Sequence, residues 1–156
     1  MASFVPTAVT ERSPPDGRLE VVHHCERLLQ VAAVGAYDAE QSAAVLTLLE
    51  SLVDDGRLPP LLLFDFRRTR SWAVSMKVSL SHTRAFLALQ LPAPLVVGVL
   101  SPHRRSGIVI AAVAKVIGSR FQLTHHTTAS SALGYLQSKA EALGLPPPPT
   151  VVDASD

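Results

Sequence analysis

Leu61-Leu62-Leu63-Phe64-Asp65 and Leu95-Val96-Val97-Gly98-Val99-Leu100-Ser101-Pro102 decide the fold of this chain. Each is an unbroken apolar run rather than an alternating one, the mark of a strand covered on both faces. Such strands belong to parallel sheets, whose neighbours must be joined by long crossovers, usually helical. The second run ends in Ser101-Pro102, a serine N-cap followed by a proline where no amide hydrogen is needed, so a helix is predicted to start there. In that helix Val109, Ile110, Val113, Val116 and Ile117 fall on one arc, Ala111 and Ala114 lie on the other side, and Gly118 ends it.

Working outward, Leu19 to His24 and Leu28 to Val34 are extended segments separated by Cys25-Glu26-Arg27, a natural hairpin. Asp38 caps the next helix with Gln41 as its return partner. Val45, Leu48, Leu49 and Leu52 stripe that helix, and Gly56 stops it. Residues 72–87 fit two periods. Val74, Met76, Val78 and Leu80 alternate as in a strand, whereas Trp72, Met76, Leu80, Thr83 and Leu87 fit a helix. Two buried strands on either side favour the helical crossover. Phe121 to Thr124 gives a last strand, and Leu133, Leu136, Ala140 and Leu143 stripe a last helix.

The expected architecture is therefore α/β: an N-terminal β-hairpin leading into a mostly parallel five-stranded sheet with four helices. Residues 18–144 form the domain. Residues 1–17, with three prolines and no sustained apolar period, read as a flexible tail, and 145–156 as a Pro-rich tail. At 156 residues and 47% hydrophobic content, one domain burying roughly 70% of its unfolded surface is expected. A single cysteine excludes an internal disulfide and fits a reducing compartment. No signal peptide and no membrane span are visible, so the expectation is a cytoplasmic protein that does not use a membrane.

This order of elements, with the Gly35-Ala36-Tyr37-Asp38 lead into the first helix and Leu62-Leu63-Phe64-Asp65 ending the third strand, resembles the STAS superfamily. That family comprises the domains of bacterial anti-sigma factor antagonists and sulfate-transporter tails, with their STAS-like relatives. Phe121-Gln122-Leu123 and Ala132-Leu133-Gly134-Tyr135-Leu136 look like the end of the STAS-like relatives. The resemblance implies a bacterial regulatory domain that binds other proteins or small anionic ligands without catalysis. Antagonists of the family carry a phosphorylatable serine in an Asp-Ser turn opening the helix after the third strand. Here Asp65 matches the strand-ending aspartate, and Ser71 or Ser75 falls near the serine's place. Ser71 also reads as a plain helix cap.

The charge is divided along the chain. Residues 1–65 sum to −6, 66–140 to +10 with no acidic residue, and 141–156 to −3. A one-sign field of that size attracts anionic ligands or acidic protein surfaces. In a parallel sheet the loops after the strands share one edge, where ligands bind. If the third and fourth strands are neighbours, Arg67, Arg68 and Arg70 meet Ser101, His103, Arg104 and Arg105 there. The second group sits on a helix's first turn, whose free amides and dipole favour anions. The leading expectation is a non-catalytic module binding an acidic protein partner through this edge. The alternative is a sensor for a phosphate- or carboxylate-bearing ligand at the same place. Glu40, Glu50, Asp54 and Asp55 of the acidic half also offer a homo-oligomer contact to the basic half of another copy.

No nucleophile elbow, phosphate loop or dinucleotide motif is present, and no cofactor is expected. Adjacent histidines on a strand point to opposite faces, so neither His23-His24 nor His125-His126 makes a two-ligand metal site alone, and no metal is expected. With 5% aromatics there is no stacking platform for single-stranded nucleic acid, which leaves only backbone contact by the basic half.

Overall fold

The computed structural model describes residues 4–11, 17–24, 26–91, 94–118 and 121–145. In chain order these form β1 (Phe4–Glu11), β2 (Arg18–His24), β3 (Leu28–Tyr37), α1 (Ala39–Asp54), β4 (Leu61–Asp65), β5 (Thr69–Trp72), α2 (Met76–Leu87), β6 (Val96–Leu100), α3 (Arg104–Ile117), β7 (Gln122–His126) and α4 (Ala129–Ala142). The sheet order is β1-β2-β3-β4-β6-β7, with β5 paired to β3. β1–β2 and β2–β3 are antiparallel, and the four remaining pairings are parallel. The expected hairpin, mostly parallel sheet and four helices are all present.

The apolar runs behave as their pattern demands. Leu29, Val31, Leu62, Val97 and Val99 face a core shared with α1 and α2, and α3 packs along the same side. Leu28, Leu61, Leu63, Val96 and Leu100 face the opposite way, against Ala132, Leu136 and Ala140 of α4. A fully buried leucine contributes about 1.5–3 kcal/mol. The central strands, buried on both faces, are therefore where the stability is concentrated.

Three readings are corrected. Phe4–Glu11, expected in a loose tail, form β1 against β2. Edge pairing uses main-chain groups and needs no apolar period, and Pro6 falls where the register shifts, so its missing N–H is tolerated. The 145–156 tail lies outside the described residues except for Leu145, as does Cys25. Second, the segment expected to lead straight into a helix at Trp72 first forms β5, to which Trp72 belongs, and α2 begins only after the N-cap Ser75, whose Oγ accepts from the Val78 amide at 3.2 Å. Third, α3 starts at Arg104 rather than at Pro102, with His103 at the cap position. Ser101 is held in the sheet by its amide, which donates to the His126 carbonyl at 2.9 Å. Its Oγ donates to Ser106 Oγ at 2.8 Å and accepts from the His103 amide, so it builds a small turn before the helix. By contrast Asp38 caps α1 as expected, accepting from the Gln41 amide at 2.9 Å.

The entry of the backbone into β2 at Gly17 needs glycine. Gly17 has φ +84°, and a Cβ there would lie 2.4 Å from the Ala36 carbonyl oxygen. Gly17→Ala is expected to cost ~2 kcal/mol or more, read as a lowered urea midpoint with unchanged slope.

Candidate functional site

β4 and β6 are parallel neighbours in a register that sets Asp65 opposite Leu100. Residues 66–68 and 101–103 therefore leave the sheet side by side, at the edge where the strands end. The Phe66 amide still donates to the Leu100 carbonyl at 2.8 Å. His103 Nε2 donates to the Thr69 carbonyl at 2.7 Å, which joins the start of β5 to the residue before α3. The two arginine-bearing segments are thus brought together.

Their arginines are not equivalent. Arg67 is engaged by Asp65, with Nη2 2.8 Å from Oδ2 and Nε 3.0 Å from Oδ1. Asp65 is buried, and also accepts from the Arg67 amide at 3.0 Å and from Gln30 Nε2 at 3.1 Å. Gln30 Oε1 in turn accepts from His24 Nε2 at 2.9 Å. A buried carboxylate is tolerated because four donors satisfy it, which makes this aspartate a structural tie and not a base. Arg68 pairs with Glu20 of β2 and holds that carboxyl below its ordinary range. The basic and acidic parts of the chain thus meet within one molecule. Arg70, Arg104 and Arg105 remain exposed, and none pairs with a carboxylate among the described residues.

Ser71 lies exposed on β5 beside Arg70, and the capping role expected of it falls to Ser75. His103 is an anchor through its ring, while Ser101 is fully buried and faces Ser106. Behind these segments Tyr37, Phe66 and Trp72 pack ring against ring, with centroids 4.8–5.0 Å apart. Sequence reasoning missed the Glu20, Gln30 and His24 partners. Only their alternation along β2 and β3 carried any signal, and strand pairing is needed to read it.

Neither a family model nor a curated protein matches the sequence. Solved structures do. The anti-sigma factor antagonist SpoIIAA in its unphosphorylated form superimposes with a TM-score of 0.51 at 11% identity, over 82% of this chain and 98% of that one. The chain has a STAS-like fold. An anti-sigma factor antagonist from Mycobacterium paratuberculosis also matches, at 18% identity and a TM-score of 0.49, over 85% and 97%. A third match is the Bacillus SpoIIAA in its phosphorylated form, at 12% identity and a TM-score of 0.48, over 75% and 97%.

Within this STAS-like sheet the two histidine pairs lie on β2 and β7, separated by β3, β4 and β6. No described helix is long and apolar enough to cross a membrane.

Two outcomes follow from the Asp65 tie. Asp65→Ala takes the carboxylate away from the largely buried Arg67 and the amide of Gln30 and is expected to cost ~3 kcal/mol in urea unfolding, whereas Arg70→Ala stays within about 0.5 kcal/mol of the parent. The second outcome concerns pH. Burial pushes His24 below its ordinary 6.5, only partly opposed by the hydrogen bond to Gln30, and burial acts in the same direction on His23 and His126. Each binds a proton more readily unfolded than folded. Their stabilisation is therefore complete above about pH 6.5 and is lost as pH falls through the lower folded values. Unfolding free energy should drop between about pH 7.5 and about pH 5.5, and His24→Gln should flatten that drop.

Proposed function

We propose that this chain is a non-catalytic regulatory module that binds an acidic surface of a protein partner through the edge carrying Arg70, Arg104 and Arg105. The observation behind this reading is the exposure of these three arginines on two segments tied together by His103 and Thr69. Arg104 and Arg105 occupy the first turn of α3, where positive charge opposes the helix dipole. An acidic surface would relieve that opposition, and arginine offers it bidentate contacts. The STAS-like fold, shared with an anti-sigma factor antagonist, supports a regulatory role.

Arg67 and Arg68 take part in this reading by shaping the edge, since their charges are already engaged. Ser75 is the better placed of the two candidate phosphorylation positions. It is exposed at the N-terminus of α2, where added negative charge is favoured, and a phosphate there would strengthen the binding contrast of a switch. Ser71, exposed beside Arg70, is the second position.

The test is binding to the partner recovered from the native cell. Arg104→Glu with Arg105→Glu should weaken binding at least about tenfold with little change in melting temperature, while Arg57→Glu, exposed after α1, should leave it unchanged. Stabilisation by nucleotides or acyl anions that disappears in Arg104→Ala with Arg105→Ala would instead establish the small-ligand sensor. Self-association between acidic and basic halves would show as a salt-dependent sedimentation coefficient; a monomer at low and high salt removes it.

A further inference from the structure

The helices α1, α2 and α3 do not close completely onto the sheet. A cavity of about 150 Å³ lies between them, walled by Tyr37, Phe64, Trp72, His82, Phe86 and Ile110 among others. Protein interiors seldom leave a void larger than one water molecule, and an apolar space of this size accommodates a benzene ring. We propose that it binds a small uncharged aromatic molecule carrying one hydrogen-bond acceptor.

Size, chemistry and access each support that occupant. The walls combine aliphatic side chains with a group of aromatic ones, Tyr37, Phe66 and Trp72 in mutual ring contact and Phe86 packed on Phe121 at 6.1 Å, so a further ring finds edge and face partners. No Asp, Glu, Lys or Arg lines the space, which disfavours an ion. Most polar groups of the wall are already satisfied. Ser42 Oγ and His82 Nδ1 lie 2.7 Å apart, and Tyr37, whose hydroxyl burial pushes up to about 12, hydrogen-bonds Ser42 and stays neutral. One donor is left over: Trp72 Nε1 is buried and meets no acceptor among the described residues. A buried donor without a partner is costly, and a ligand oxygen would satisfy it.

Access is visible on the sheet itself. Phe64 sits on β4, flanked by β3 and β6, yet it is only half-buried while Leu61, Leu62 and Leu63 beside it are fully buried. Solvent therefore reaches the middle of the sheet between the helices. α2, which lines the cavity through Ser79, His82, Thr83 and Phe86, buries only Phe86. Phe66 and Trp72 also bracket Arg67–Arg70 in sequence, so the occupant lies behind the edge that bears the arginines. The proposal does not depend on that edge binding a protein.

Trp72 is the only tryptophan, so a ¹⁵N-labelled full chain gives one indole N–H signal from the cavity wall. Titration with acetophenone should move that signal saturably. Benzene, with the ring but no acceptor, should bind about threefold to tenfold more weakly, and benzoate should give no saturable change. Val113→Phe and Ile110→Phe each fill the space and should abolish the acetophenone response while the remaining spectrum stays dispersed; Ile110, half-buried, serves if Val113→Phe fails to fold. In calorimetry, Trp72→Phe should reduce acetophenone affinity to the benzene level. The proposal is overturned by no saturable shift at millimolar acetophenone, by a shift that survives a folded cavity-filling variant, or by benzoate binding equally well.

Discussion

The buried carboxylate of Asp65 is the constraint on which the edge of this domain depends. It ends β4, yet its oxygens are spent on Gln30 of β3 and on the amide and guanidinium of Arg67. These bonds hold the chain in a short excursion before it rejoins β3 as β5, with the Gly35 amide donating to the Arg68 carbonyl at 3.0 Å. Without that excursion there would be no β5 for His103 to grip, and α3 would lose its link to the neighbouring loop. An ionised group in a low-dielectric interior demands a complete set of donors, so the position of one aspartate dictates the path of several residues.

The same constraint divides the arginines. Counted along the chain, the basic stretch from Phe66 onward suggests a broad positive field. In three dimensions Arg67 is paired with Asp65 and Arg68 with Glu20, so at this edge Arg70 and the first turn of α3 carry the exposed arginines without a carboxylate partner among the described residues. The aromatic cluster beneath connects this edge to the cavity: Phe66 and Trp72 occupy the two ends of the excursion. Ordering the ring cluster and ordering the arginine segments are therefore linked through a few residues of backbone.

Much of the scaffold is legible in local pattern. Unbroken apolar runs at Leu61–Phe64 and Leu95–Leu100 announce strands buried on both faces, and the Asp38 cap and Gly118 stop mark helix ends by chemistry confined to a few neighbours. The errors fall where a distant partner overrides local preference. Ser101 looks like a helix cap, but its amide is committed to His126, twenty-five positions away, so the helix opens later. Phe4–Glu11 carry no apolar period because an edge strand needs only main-chain partners, which β2 supplies.

The sequence by itself determined the α/β class, the helical crossovers and the polarity of its two halves, because periodicity, capping and charge act over a few residues. Only the tertiary structure decided which arginines are free, which polar groups sit buried, and where the helix layer leaves space. Pairing distances between segments dozens of residues apart control those outcomes. Gln30 and Asp65, or Arg68 and Glu20, acquire their meaning only when strand register places them within hydrogen-bond reach.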